Sequence, residues 1–195
     1  MPLKLGEREY RAMALMAPVV AGAAKLIESE YYVEGYATTF DQPYVLWGEY
    51  KEQIDRHALD AADVSDVIFQ YDHEGRVLAR TSNNTLVLVL DDHGLLVGAD
   101  LSGSEAGRQL YEEITNGLVT KMSWAFTVSE DDYDYESDTR TIVKVKKVYD
   151  AAAVSLPAND ATEISARSYV DGVIEAEKRE SRARRARALQ VLTKM

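Results

Sequence analysis

The stretch NNTLVLVLDDHGLLVGADLSGSEAGRQLYEEITNGLVTKMSWAFTV, Asn83 to Val128, decides the fold. Its first half reads as two strands around a polar turn. Thr85 to Leu90 are β-formers, Asp91 to Gly94 make the turn, and a second apolar run follows. From Ser104 to Asn116 the period changes, with Leu110, Tyr111 and Ile114 at helical spacing and Gly117 placed to cap the end. Met122 to Val128 is again a short apolar run, the mark of a buried strand, yet it carries one small hydroxyl, Ser123. One clear helix among strands argues for an α+β, mostly β domain and against a doubly wound α/β fold.

Outward from this stretch the chain stays strand-rich. YYVEGYATTF, Tyr31 to Phe40, predicts a first strand with a bulge at Gly35. LWGEYKEQIDRHALDAA, Leu46 to Ala62, predicts a loop leading into a short helix, and DVIFQYDH, Asp66 to His73, a strand that runs into a turn at HEGR. Beyond the Ser123 strand, SEDDYDYESDTR reads as a solvated acidic loop or hairpin tip. TIVKVKKVYDAAAVSLPA, Thr141 to Ala158, alternates apolar residues with lysines, as a strand with one wet face does. The end of the chain is rich in helix formers and carries Arg179, Arg182, Arg184, Arg185 and Arg187; it reads as a solvated charged helix or as a tail that docks on an acidic partner. The organisation is a lead-in over residues 1–29, a principal domain over 30–168 and a basic helical extension over 169–195.

Composition narrows the function. A chain of 195 residues, 46% hydrophobic and 28% charged, can bury one substantial core. A net charge of -11 and a pI near 4.8 argue against nucleic-acid binding, which needs clustered Lys and Arg. The absence of cysteine removes disulfides, thiolate metal sites and a cysteine nucleophile, and suits a reducing cytoplasm. MALMAPVVAGAA, Met13 to Ala24, is too short to span a bilayer, contains Pro18 and Gly22, and follows a flank that mixes Glu7 and Glu9 with Arg8 and Arg11. We read it as part of a cytoplasmic protein with no membrane contact.

If Ser123 is a nucleophile, it needs a base, and histidine is the side chain best matched to take its proton. There are three: His57 in the expected helix, His93 in the DDHG turn, and His73, which ends an apolar strand where a loop begins. His73 is the best placed. Scattered histidines without paired spacing give no metal site, and Asp91 with Asp92 reads as turn chemistry rather than a cation site. No P-loop, dinucleotide fingerprint or nucleophile elbow is present.

Three blocks, VIFQYDHEGRVLARTSNNTLVLVLDDHGLLVGADL, GRQLYEEITNGLVTKMSWAFTV and VYDAAAVSLPANDATEISAR, resemble in order and spacing the signature blocks of the prohead maturation proteases of tailed bacteriophages. The resemblance spans Glu30 to Arg167. It implies His73 as base, Ser123 as nucleophile and, from the position of Pro157, Ala158 and Asn159, Asp150 as the acid that orients the imidazole. Asp72, nearer in sequence, stays open as the alternative acid. This chain departs from the family where Trp124 and Ala125 replace a phenylalanine and a glycine, and where Ala79 replaces a glycine.

The family is similar in fold to the herpesvirus assembly proteases. That implies a β-barrel surrounded by helices, with serine and histidine on adjacent strands and Arg80 or Arg76 beside backbone N–H groups as oxyanion donors. It implies a serine endopeptidase without cofactor or metal, acting inside the immature prohead in the bacterial cytoplasm. Its partners would be the major capsid protein and scaffold propeptides, with self-cleavage and a homo-oligomer left open. The competing expectations are an inactive scaffold or assembly chaperone on the same fold, and a different hydrolase on a small β-barrel.

Overall fold

The computed structural model describes residues 5–14 and 25–155. The hairpin expected after Asn83 forms as β7 (Leu86–Leu90) and β8 (Gly94–Asp100), with Leu90 opposite Leu95. Gly94 has no alternative, because a Cβ there would lie 2.0 Å from the Thr38 carbonyl oxygen of the neighbouring strand. The helix forms as α1 (Glu105–Thr115). Ser104 accepts a hydrogen bond from the Gly107 N–H at 3.0 Å, and Gly117 turns the chain away at φ +73°. Leu110 and Ile114 are buried, as their spacing predicts.

The remaining described elements are β1 (Arg8–Ala14), β2 (Tyr32–Thr39), β3 (Tyr44–Trp47), β4 (Tyr50–Ile54), β5 (Ile68–Tyr71), β6 (Glu74–Arg80), β9 (Lys121–Asp134) and β10 (Thr139–Val154). The α+β, mostly β class read from the sequence is the class the chain adopts. A seven-stranded sheet has the path β1-β9-β10-β4-β3, with β5 and β6 joined to it through β10, and a three-stranded sheet runs β2-β8-β7. Strand β10 uses one edge twice. Its start pairs in parallel with β4, and Asp150 to Ala153 pair in parallel with Ile68 to Tyr71 of β5. Its other edge carries β9. Both sheets and α1 contribute to one core that includes Trp124, Phe126, Phe69, Ile54, Leu95 and Leu110.

The structure corrects several expectations. Leu46 to Ala62 holds no helix: it folds as the β3–β4 hairpin followed by turns. Tyr50, Glu52 and Ile54 are buried on alternate positions of β4, and a glutamate in the middle of that triplet hides the alternation. The irregularity in β2 falls between Tyr36 and Thr38, not at Gly35. Much of the acidic stretch after Val128 continues β9 to Asp134. The segment read as a lead-in contains β1, paired antiparallel with β9. Among the described residues the strand pairings form two sheets and do not close into a ring. The closing Pro157, Ala158 and Asn159 and the extension over 169–195 lie outside the described residues.

Candidate active site

Strand β9 sorts its side chains by alternation. Met122, Trp124, Phe126 and Val128 are buried in the core, with the Trp124 and Phe126 rings stacked at 3.9 Å. Ser123 and Ala125 therefore point to the opposite face. Trp124 is on the far side of the strand from the hydroxyl beside it.

Strand β10 would not present Asp150 on that face by simple alternation. Val148 pairs with Phe126 on the core side, and two residues on Asp150 would point into the core as well. The register shifts between Val148 and Asp150, so that Asp150 pairs with Ala125 and Ala152 with Ser123. One extra residue, Tyr149, makes a bulge that turns the carboxylate to the Ser123 face. On this face Ser123, Ala125, Asp150 and Ala152 form a block of four, with Ser123 and Asp150 on its diagonal. Diagonal residues of an antiparallel pair are about 7–8 Å apart. An imidazole with a hydrogen bond at each nitrogen fits that span.

His73 supplies the imidazole. Tyr71 pairs with Glu74, so Asp72 and His73 are the two loop residues of the β5–β6 hairpin, both in the left-handed region at φ +47° and +58°. Such a turn favours Asn, Asp and Gly, and histidine is among the non-glycine residues that tolerate left-handed backbone. The hairpin is fastened at its tip by the Asp72 N–H donating to the Ala153 carbonyl at 3.0 Å. From there His73 Nδ1 contacts the Asp150 carboxylate, and Nε2 lies 2.6 Å from Ser123 Oγ. In the tautomer with the proton on Nδ1, that N–H donates to the carboxylate and Nε2 is left to accept from the hydroxyl. Ser123 is 4% exposed and Asp150 2%, and the His73 side chain 15%. The other corners of the block, Ala125 and Ala152, are fully buried and small enough to leave the diagonal clear.

All the residues singled out from the sequence, Ser123, His73 and Asp150, are thus in contact. Of the two acids left open, Asp150 touches the imidazole, while the Asp72 carboxylate accepts from the Ser155 N–H at 3.4 Å. The expectation of serine and histidine on adjacent strands is corrected: β10 lies between β9 and the β5–β6 hairpin, and the acid on β10 fills the intervening position. Arg80 is held by Asp66 at 2.7 and 2.5 Å. His57 pairs with Asp60 at 3.0 Å on the surface, and His93 stacks edge-on against Tyr36 at 4.5 Å between ring centroids. Asp91 accepts from the His93 and Gly94 N–H groups, which is turn chemistry. No group of three or more potential metal ligands occurs among the described residues.

Two features were missed from the sequence. Tyr10 of β1 packs its ring edge-on against His73, centroids 4.7 Å apart. On the core side, Glu9 and Arg11 of β1 join Glu52 of β4 and Arg140 of β10 in a buried ion cluster. Arg11 donates to Glu52 at 2.5 and 2.8 Å and to Glu9 at 2.5 Å. Arg140 donates to Glu9 at 2.7 and 3.0 Å, to Glu52 at 2.9 Å and to Asp131 at 2.7 Å. Tyr44 donates its hydroxyl to Glu52 at 2.6 Å. Burial alone would raise the Glu52 pKa, but the charges and hydrogen bonds of Arg11 and Arg140 hold it below the usual carboxylate value. Burial likewise works against the Arg11 charge, and Glu52 and Glu9 override it, so the guanidinium is more basic than usual. The charges at Glu9, Arg11 and Glu52 mask the alternation that would otherwise mark these strands.

The sequence model of one family, described as caudovirus prohead serine protease, matches residues 22–174. No protein with a curated description matches the chain. Among solved structures, the bacteriophage T4 capsid assembly protease, gp21, is similar at a TM-score of 0.52 and 11% identity, over 77% of this chain and 98% of that one. At that identity the likeness is one of fold.

Proposed function

The chain belongs to the caudovirus prohead serine protease family, and on that premise we propose that it is a serine endopeptidase that cleaves capsid and scaffold propeptides during prohead maturation. The observation that carries this reading is the unbroken contact chain from Asp150 through His73 to Ser123. Ser123 Oγ attacks the scissile carbonyl while its proton passes to His73 Nε2. The imidazolium is held by Asp150 and returns that proton to the leaving amine. Water then repeats the sequence on the acyl-enzyme: His73 takes a proton from it, and the Ser123 ester bond breaks to release the acid product and restore the hydroxyl. The N–H groups of β9 around Ser123 lie between two paired strands, so Arg76 and backbone N–H groups outside β9 would receive the oxyanion.

The site of action in this reading is the interior of the immature prohead in the host cytoplasm. The protease domain takes in strand β1 (Arg8–Ala14) together with residues 30–168, and the basic extension over 169–195 is a targeting or trimmed tail.

The test is co-expression with the capsid protein of the same phage. Wild-type protein should shorten it and should label with a fluorophosphonate, and Ser123→Ala should do neither, with a loss of roughly 10⁴-fold or more in rate. Processing that continues in Ser123→Ala would remove Ser123 from the role of nucleophile.

A further inference from the structure

We propose that Tyr10 is a positioning residue for His73, so that the catalytic arrangement is completed by a strand from near the start of the chain. This rests on the protease reading above. Both imidazole nitrogens are engaged, Nδ1 by Asp150 and Nε2 by Ser123, and what is left of the ring to be held is carbon. The Tyr10 ring packs against the imidazole in a T-shaped arrangement, with centroids 4.7 Å apart. His73 needs the support, because it hangs from a two-residue hairpin tip in the left-handed region, where no regular strand pairing fixes its backbone.

Tyr10 is well placed to give it. Strand β1 sets Tyr10 opposite Ala125 and Ala12 opposite Ser123, so that the tyrosine lies on the face of the site. The residues on either side of Tyr10, Glu9 and Arg11, are anchored on the other face by Glu52 and Arg140. Tyr10 is therefore carried on a backbone pinned from behind. Tyr10 is 45% exposed, so core packing does not account for an aromatic residue here, whereas contact with His73 does.

The experiment compares Tyr10→Ala, Tyr10→Leu and Tyr10→Phe in the full chain, by peptide-cleavage kinetics and by the downfield NMR resonance of the His73 Nδ1–H that Asp150 holds. An aromatic contact of this kind predicts a roughly three- to ten-fold fall in kcat for Tyr10→Ala. KM should stay within about twofold, since substrate binding is not what is lost. The Nδ1–H resonance should broaden in Tyr10→Ala, Tyr10→Leu should fall between, and Tyr10→Phe should restore both kcat and the resonance. Unchanged kcat and resonance in Tyr10→Ala would overturn the proposal, and so would a Tyr10→Phe variant as impaired as Tyr10→Ala. If Tyr10→Ala fails to fold, the Tyr10→Leu and Tyr10→Phe pair decides by the same criteria. If wild-type protein cleaves no peptide, the protease reading fails by itself, and the resonance still reports whether Tyr10 holds the imidazole.

Discussion

The two faces of the β1-β9-β10 sheet both bury polar groups, and they do so in opposite ways. On the core face Glu9, Arg11, Glu52, Asp131 and Arg140 satisfy one another in a closed set of charge-assisted hydrogen bonds. On the other face Asp150, His73 and Ser123 form an open chain that ends in a hydroxyl. In the first set every carboxylate accepts from a guanidinium, and the two guanidinium groups serve three carboxylates. The second contains the one side-chain type whose ordinary titration lies near neutrality, set between an acid and an alcohol. Buried polarity that is complete holds strands together; buried polarity that ends on a free nucleophile can move a proton.

Asp150→Asn should break the comparison most sharply. The amide preserves shape but can offer Nδ1 a donor where an acceptor is needed, which favours the wrong imidazole tautomer. A fall of about 10⁴-fold in kcat is expected, with little change in thermal unfolding. Glu52→Ala on the core face should do the reverse. It leaves two buried guanidinium groups short of an acceptor and should cost about 3–5 kcal/mol of stability, measured by denaturant unfolding. Activity should fall with the unfolded fraction and by a further few-fold at most, since Glu52 also anchors the strand that carries Tyr10. Because the folded pKa of Glu52 is lowered, its contribution to stability is present above the unfolded carboxylate value and is lost as pH falls through the folded one. Acid titration of unfolding should therefore flatten in Glu52→Ala relative to wild type.

Ala152→Val probes the site face at a smaller scale. Two methyl groups added to a fully buried corner beside Ser123 would crowd the diagonal that the imidazole spans. Overpacking of this kind costs about 1–3 kcal/mol. The expected signature is a drop in kcat larger than the loss of stability explains, together with displacement of the His73 ring from Ser123 in a crystal structure of the variant.

The same contrast governs what could be read from the sequence. The hairpin β7–β8, helix α1 and the start of β9 follow the ordinary code of apolar residues inside, and all three were legible. Strands β1 and β4 were not, because Glu9, Arg11 and Glu52 occupy positions where the code expects apolar residues. A buried ion cluster inverts the signal on every strand that contributes to it, and only the partners, far apart in sequence, reveal that each charge is paired. At the site, Ser123 and His73 were legible as residue types in context and through family resemblance. The orientation of Asp150 was not. It depends on the bulge at Tyr149, and the run of lysines and small residues around it admits more than one register.

Asp72 gives the smallest expected effect and the finest distinction. It is adjacent to His73 in sequence and shares its hairpin tip, but its carboxylate faces the Ser155 N–H while Asp150 faces the imidazole. Asparagine suits the left-handed backbone of the first loop position as well as aspartate does, so Asp72→Asn should keep the turn and change stability by no more than about 0.5 kcal/mol. Its carbonyl oxygen can still accept from Ser155. If Asp150 alone orients the base, kcat in Asp72→Asn should stay within about twofold of wild type, against the 10⁴-fold loss expected for Asp150→Asn. A comparable loss in both variants would mean that the negative charge at the hairpin tip, and not the bulge-directed carboxylate on β10 alone, holds the imidazolium, and the contrast between the two acids would collapse.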